Sequence, residues 1–386
     1  MRVLVDARPA VDPHPTGVGH YTRALLRHLP LADPETDFVA WYLDARGSGR
    51  GRRRFAGWAP NLVERASRIP ARVFGPVSVR LGLPKVEQLA GRSDLVVATN
   101  FLPPPTSNRG TVMVVHDLAF EVLPETAPHH NDRWRRLFDA CLRRAAAVIL
   151  PSEAARADLL RLHGGDPDRA IAIHHGTDTD AFTPASPHAV QEIRRRYGIG
   201  GRYVLFLGGL EPRKNLAGLV RAFGILEDPG AWLVVAGGPV RWAPGYADRV
   251  DRAIDQLPGS AHDRVVRTGY VGHAERRALL SGAEVLAYPS LHEGFGFPIL
   301  EGFASRVPVL TSNVSSMPEV AGDAATLVDP EDPIAIARGL DELLGDEDLR
   351  NALRASGATR MASFTWERCA RETAAVLRGA YDRLHP

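Results

Sequence analysis

Cysteine and lysine are almost missing from these 386 residues: Cys141 and Cys369 are the only cysteines, and Lys85 and Lys214 the only lysines among 47 basic residues. Two distant cysteines exclude a disulfide framework and lack the spacing of a zinc site. They read as buried free thiols in a reducing cytoplasm. No run of about 18 apolar residues occurs, and in the opening MRVLVDARPA a short apolar run meets charge after five residues, so neither a spanning helix nor a signal peptide is predicted. Paired histidines at His129–His130 and His174–His175 lack the helical spacing of metal ligands. An Asp178-Thr179-Asp180 triplet has a metal-binding look, but it falls in a stretch that reads as a linker. The prediction is no required metal and no cofactor. No GxGxxG follows the first apolar run, which weakens a nicotinamide-dependent reading.

What is present is globular: 45% hydrophobic and 24% charged residues, with a net charge of +2. The length exceeds what one core usually supports, so two domains are expected. Arg46, Arg50, Arg52, Arg53, Arg54, Arg65, Arg68, Arg72, Arg80 and Arg92 crowd the first hundred residues. They read as an arginine-rich solvated loop or as a basic surface for an anionic membrane or acceptor. Only Phe55, Trp58 and Phe74 fall among them, too few for the aromatic interleaving of a nucleic-acid surface, which argues against nucleic acid.

Short β-branched runs alternate with amphipathic stretches throughout, the pattern of parallel α/β sheets. Strands are predicted at residues 3–5, 38–43, 95–99, 111–115, 147–150 and 171–174, and again at 203–207, 232–236, 265–268, 285–288, 307–310 and 326–328. A linker is expected within residues 176–187. Trp366–Leu384 reads as a last amphipathic helix with Ala370, Ala374, Val376, Leu377 and Tyr381 on its apolar face. Two such sheets would turn their carboxyl ends to a shared cleft, where ligands of doubly wound sheets bind.

The most informative stretch is YPSLHEGFGFPILEGFASRVPVLTS, Tyr288–Ser312. It reads as strand, glycine loop, helix and strand, with Pro298 suited to the first helical turn. Gly294 and Gly296 let backbone approach a ligand, and the helix start favours an anion. Glu293 and Glu301 flank that loop; a carboxylate accepts the vicinal hydroxyls of a ribose or hexose. The bland reading leaves Glu301 complementing the helix dipole and Glu293 facing solvent. A second cluster, FLGGLEPRKNLAGLVRAF at Phe206–Phe223, places Arg213 and Lys214 just before a helix. Cations there oppose the helix dipole, so an anion between them is expected: Arg213 as a fork, Lys214 as a point charge.

The glutamate pair around GFGFP, the EPRKN turn, the TGVGHY loop and the SMPEVAGDAATLVDPED segment together resemble the large family 4 of retaining glycosyltransferases. The resemblance runs over essentially the whole chain and is nearest to bacterial members that use GDP-mannose. It implies two facing Rossmann-like domains (GT-B) around an interdomain cleft. These are an acceptor domain at 1–178, a nucleotide-sugar domain at 179–365, and a helix at 366–386 packing back on the first. It implies Glu293 on the donor sugar, Glu301 on the ribose, Arg213 and Lys214 on the diphosphate, and the backbone from Gly294 through Phe295 and Gly296 to Phe297 on sugar and phosphate. Tyr270 and Val271 fall where members contact the base, and His116, ending the strand TVMVVH, where a histidine reaches the transferring sugar. Gly17 and Gly19 lie in a loop opening to the cleft. Where many members carry an arginine five positions before the lysine, Gly209 stands here, leaving that charge to Arg213.

The implied activity is metal-independent retaining transfer of a hexose from a nucleotide diphosphate sugar to a glycan, lipid-linked or small-molecule acceptor. The place would be the cytoplasm or the inner membrane face, with no nucleic-acid partner. A UDP-sugar transferase, a sugar-nucleotide epimerase or phosphorylase, and a non-catalytic nucleotide-sugar binder are the alternatives.

Overall fold

A computed structural model describes residues 1–12, 16–45, 54–126, 132–178 and 180–386. Arg46, Arg50, Arg52, Arg53, Thr179, His129 and His130 lie outside the described residues. The chain forms two compact units. The first comprises Met1–Asp117, Asn131–Gly176 and Thr365–Pro386, and the second Leu118–His130 and Thr177–Phe364.

The first unit is built on seven strands: β1 Arg2–Asp6, β2 Asp37–Leu43, β3 Leu62–Ser67, β4 Leu95–Ala98, β5 Thr111–Val114, β6 Ala147–Leu150 and β7 Ala170–Ala172. They pair in parallel in the order β3-β2-β1-β4-β5-β6-β7. The second unit has six: β8 Tyr203–Leu207, β9 Trp232–Ala236, β10 Val265–Gly269, β11 Val285–Tyr288, β12 Val309–Ser312 and β13 Thr326–Val328. Their order, β10-β9-β8-β11-β12-β13, is again parallel throughout. Both are Rossmann-like sheets whose strand order reverses beside their first strand, next to β4 in one and β11 in the other. Central strands such as β1, β4, β8 and β11 are buried on both faces, which is why they read as unbroken apolar runs.

Three sequence expectations change. Leu62–Ser67 is strand β3, not part of an arginine-rich loop, and Ala71–Leu81 is a helix. The strand escapes notice because it is a sheet edge paired only with β2, so its alternate residues, Arg65 among them, face solvent. Strand β12 starts at Val309, two residues late, because Arg306 takes a positive φ of 57° in the preceding turn and Pro308 has no N–H to donate. The TGVGHY stretch is no loop: Gly17–Ala32 is a helix with Gly17 at its first position and Gly19 buried in its first turn.

That helix is covered by Trp366–Leu384. Tyr21, Leu25, Leu26 and Leu29 share one core with Cys369, Ala370, Ala374, Leu377 and Ala380, and Val376 and Tyr381 pack at its margin. Gly176 meets the start of the last helix so closely that a Cβ would sit 2.2 Å from the Trp366 nitrogen. Both cysteines are free; Cys369 is buried and its thiol pushed up to about 12 by that burial, while Cys141 is only half-buried.

Candidate active site

Parallel sheets of this order bind ligands at the carboxyl ends of the strands on either side of the reversal. In the second unit those strands are β8 and β11, and the two most informative sequence clusters follow them. After β8 the chain runs through Gly208 and Gly209, a short 3-10 turn at Pro212–Lys214, and Asn215 with φ 56° before the helix Leu216–Phe223. The Asn215 side chain donates to the Pro330 carbonyl at 2.6 Å and lies over Gly218, where a Cβ would meet its Oδ1 at 2.3 Å. After β11 the glycine loop ends at Gly296, φ 105°, which begins the helix Phe297–Ala304 with Pro298 in its first turn. The two loops are joined by Leu291 N–H donating to the Arg213 carbonyl at 2.7 Å.

Glu293 is the centre of this arrangement and is 7% exposed, not solvent-facing. Its carboxylate takes hydrogen bonds from Arg213 Nη1 and the Tyr288 hydroxyl, and from Ser290 Oγ at 3.3 Å. Burial alone would raise its pKa, but the charges of Arg213 and then Lys214, with the Tyr288 hydrogen bond, outweigh it and hold Glu293 below the usual carboxylate range. Its carbonyl is anchored by Ser315 Oγ at 2.6 Å and Ser316 Oγ at 2.8 Å, and Ser316 also donates to the Phe295 carbonyl at 2.9 Å. These hydroxyls clamp the glycine loop.

The anions expected between the two cations are present in the chain itself. Arg213 Nε donates to Glu211 Oε2 at 2.9 Å, and Lys214 Nζ stands 3.8 Å from Glu211 Oε1. Lys214 reaches there by lying across Gly208, where a Cβ would come within 2.9 Å of Nζ. Gly208 in turn is pressed on Gly237, whose Cβ would fall 1.8 Å from the Gly208 carbonyl oxygen; both glycines have φ near +150°, at 151° and 154°.

Glu301 is also buried, at 6% exposure, and pairs with Arg276 of the helix His273–Gly282. Arg276 rests over the Phe182 ring at 5.6 Å. Beyond β10, Tyr270 is 78% exposed, whereas Val271 is 9% exposed and packs in the core, as does Phe295 at 4%. Val271 and Phe295 therefore offer a ligand only their backbone. Phe297 stands edge-on to Phe295 with ring centroids 5.4 Å apart.

In the first unit, His116 follows β5 and its Nε2 lies 2.9 Å from the Thr99 carbonyl, so Nε2 carries the proton and Nδ1 is the acceptor. Burial lowers its pKa. Tyr21 and His175 pack on it with centroids 5.1 and 5.6 Å away.

Arg213, Lys214 and Glu293 thus come together, with Glu301 on the helix that follows. Sequence reasoning missed Glu211, Tyr288, Ser290, Ser315, Ser316 and Arg276. Glu211 was legible in principle, as an acid two residues before a cation on the same short turn. Tyr288 and Ser290 lie within five residues of Glu293, whereas Ser315, Ser316 and Arg276 come from other elements and carry no spacing signal.

Two Rossmann-like parallel sheets, one in each unit, are the architecture of the glycosyltransferases with the GT-B fold. Residues 15–181 match the family described as Glycosyltransferase Family 4, and residues 190–360 that described as Glycosyl transferases group 1. The chain belongs to the family 4 glycosyltransferases. It is 28% identical to the O-antigen chain mannosyltransferase B of Escherichia coli, over 97% of this chain and 98% of that one. It is also 28% identical to the serotype-specific mannosyltransferase WbdA of Escherichia coli over 66% of this chain, spanning 32% of that longer relative. Sucrose-phosphate synthase from Thermosynechococcus elongatus has the same fold, with a TM-score of 0.77, 21% identity and 99% of each chain covered.

Proposed function

We propose that this glycosyltransferase moves mannose from GDP-mannose to a glycan or lipid-linked acceptor, retaining anomeric configuration and requiring no metal or cofactor. The observation that carries the reading is the buried Glu293 carboxylate tied to Arg213 with Lys214 beside it. Two cations at the carboxyl end of β8 stand where a departing diphosphate needs charge stabilisation. The mannose assignment leans on the name of the full-length Escherichia coli relative.

Glu293 already accepts three hydrogen bonds, and a carboxylate offers roughly four lone-pair sites. A sugar with two hydroxyls to place therefore needs one partner to leave. In our reading the donor diphosphate draws Arg213 away, which frees Oε2 for a sugar hydroxyl, while Lys214 stays as the point charge on the leaving phosphate. Glu301 keeps one oxygen on Arg276 and turns the other to the ribose. The leaving phosphate helps deprotonate the acceptor on the same face of the sugar. His116 presents Nδ1 as an acceptor to a sugar hydroxyl.

Nucleotide release from GDP-mannose and from UDP-sugars, with and without glycan acceptors and with excess chelator, tests the reading. Acceptor-dependent GDP release that survives chelation is the expected result. Preference for a UDP-sugar would overturn the donor, and loss with chelator regained with magnesium the metal independence.

A further inference from the structure

The helix His273–Gly282 carries two arginines in succession, and the fold uses them differently. Arg277 is a brace: its Nε donates to the Thr183 carbonyl at 2.5 Å and its Nη2 to the Pro184 carbonyl at 3.1 Å. Arg276 shares its helix face with Leu279 and Leu280, both fully buried, so a charge on that side needs a partner. Among the described residues its guanidinium makes one hydrogen bond, to Glu301 Oε2, and its buried Nε has no acceptor. The same bond is the only one that the Glu301 carboxylate receives among the described residues. Beneath the guanidinium lies the Phe182 ring, fixed by Ser305 Oγ donating to the Phe182 carbonyl at 3.1 Å. Ser305 closes the helix that carries Glu301, so ring, guanidinium and carboxylate stand on one frame. A buried ion pair this sparsely bonded adds little stability over an apolar pair of similar volume, which leaves its use to the site.

We propose that Arg276 is the positioning residue of the Glu301 carboxylate and thereby makes the site choose a ribonucleotide over a deoxyribonucleotide. The inference rests on the reading that Glu301 accepts from the ribose of a nucleotide donor. With Oε2 held by Arg276 and the guanidinium held by Phe182, the carboxylate plane is set and Oε1 is left for a ribose hydroxyl. An acceptor oriented in advance loses no side-chain freedom when the hydroxyl arrives. Deoxyribose brings only a C–H to that oxygen, which then loses water without gaining a donor, and a firmly held oxygen cannot turn away to find one. Selectivity for the sugar therefore lies in the arginine as much as in the carboxylate it holds.

Calorimetry with GDP and deoxy-GDP, and with UDP and deoxy-UDP should the parent bind those instead, tests it. The parent should favour the ribonucleotide roughly tenfold to hundredfold, the worth of a hydrogen bond to a charged group. In Arg276→Leu the ribonucleotide should bind more weakly and the deoxy form almost as before, so the preference should shrink to a few-fold or less. Arg276→Lys keeps the charge without the fork and should fall between the two. Phe182→Leu, which removes the ring but not the ion pair, should lower the preference less than Arg276→Leu does. Arg277→Ala should lower the melting temperature, through its lost carbonyl contacts, and leave the preference at the parent's value. If Arg276→Leu does not fold, the Arg276→Lys and Phe182→Leu preferences decide. The parent's preference retained in the Arg276 variants, or both nucleotides weakened equally, would overturn the inference and leave the ribose reading standing. A parent that binds ribose and deoxyribose forms alike would remove Glu301 from the ribose, and the inference with it.

Discussion

Adjacent cations at Arg213 and Lys214 have different attachments and should fail differently. Arg213 contacts the buried Glu293, so Arg213→Ala leaves that carboxylate without its main counter-charge and should cost about 3 to 5 kcal/mol of stability. Chemical denaturation measures this; a loss under about 1 kcal/mol would mean that solvent or Lys214 replaces the guanidinium. Lys214 lies over Gly208 beside Glu211 and contributes little to a core. Lys214→Ala should fold normally while turnover at saturating donor falls about a hundredfold, the loss of one preorganised charge contact. Lys214→Arg should recover only part, since a planar fork cannot sit where a compact ammonium did. Near-normal turnover in Lys214→Ala would remove it from leaving-group stabilisation.

His175, beside His116 and Tyr21, has its pKa pushed well below the ordinary value of about 6.5, by burial first and by His116 second. A folded state that resists protonation gains nothing when acid is added, while the unfolded chain takes up the proton. Stability is therefore full above about pH 6.5 and should fall as pH drops through that value toward the lower native one. His116 shifts in the same direction. Urea midpoints from pH 7.5 down to 5 should decline in the parent and decline less steeply in His175→Gln. Equal slopes would show that other groups govern the acid limb.

At the scale of elements, the site depends on how tightly the ends of β8 and β9 meet. Gly237 and Gly208 touch through backbone, so a methyl at Gly237 has no flexible neighbour to displace. Gly237→Ala should cost several kcal/mol, combining a φ of 154° that side chains resist with a collision against main chain. Gly208→Ala collides mainly with the end of Lys214, which can swing aside. Its melting temperature should fall less than that of Gly237→Ala, while its turnover approaches that of Lys214→Ala. Measuring Tm and turnover on both separates the roles; equal destabilisation would contradict the proposed division.

At the scale of the whole molecule, the chain returns to its first unit after completing the second. Leu377 is fully buried beside Tyr21, Leu25 and Leu29, and Arg378 pairs with the buried Asp33 at 3.0 Å. Leu377→Ala should therefore destabilise the first unit by about 2 to 5 kcal/mol, as large-to-small core changes do. Limited proteolysis should cut residues 1–117 and 132–176 faster in this variant and leave 177–364 protected; cleavage confined to the second unit would refute it. Among the described residues no helix is long and apolar enough to cross a membrane.

The periodicity of the sequence by itself determined two parallel α/β sheets, every strand but β3 within about two residues, the last helix, and the two glycine-broken loops around Glu293 and Lys214. These are local properties: strands buried on both faces must be apolar throughout, and a loop pressed on a ligand or another backbone must lose its side chains. Only the tertiary structure decided that Glu293 and Glu301 are buried and arginine-paired, that serines from beyond β12 clamp the glycine loop, and that Gly17 and Gly19 open a helix. It alone shows Leu62–Ser67 as an edge strand and Arg276 resting between Phe182 and Glu301. Partners 22 or 80 residues apart, as Ser315 and Arg213 are from Glu293, leave no mark in local spacing. An ion pair is chosen by which strand ends the sheet order places side by side.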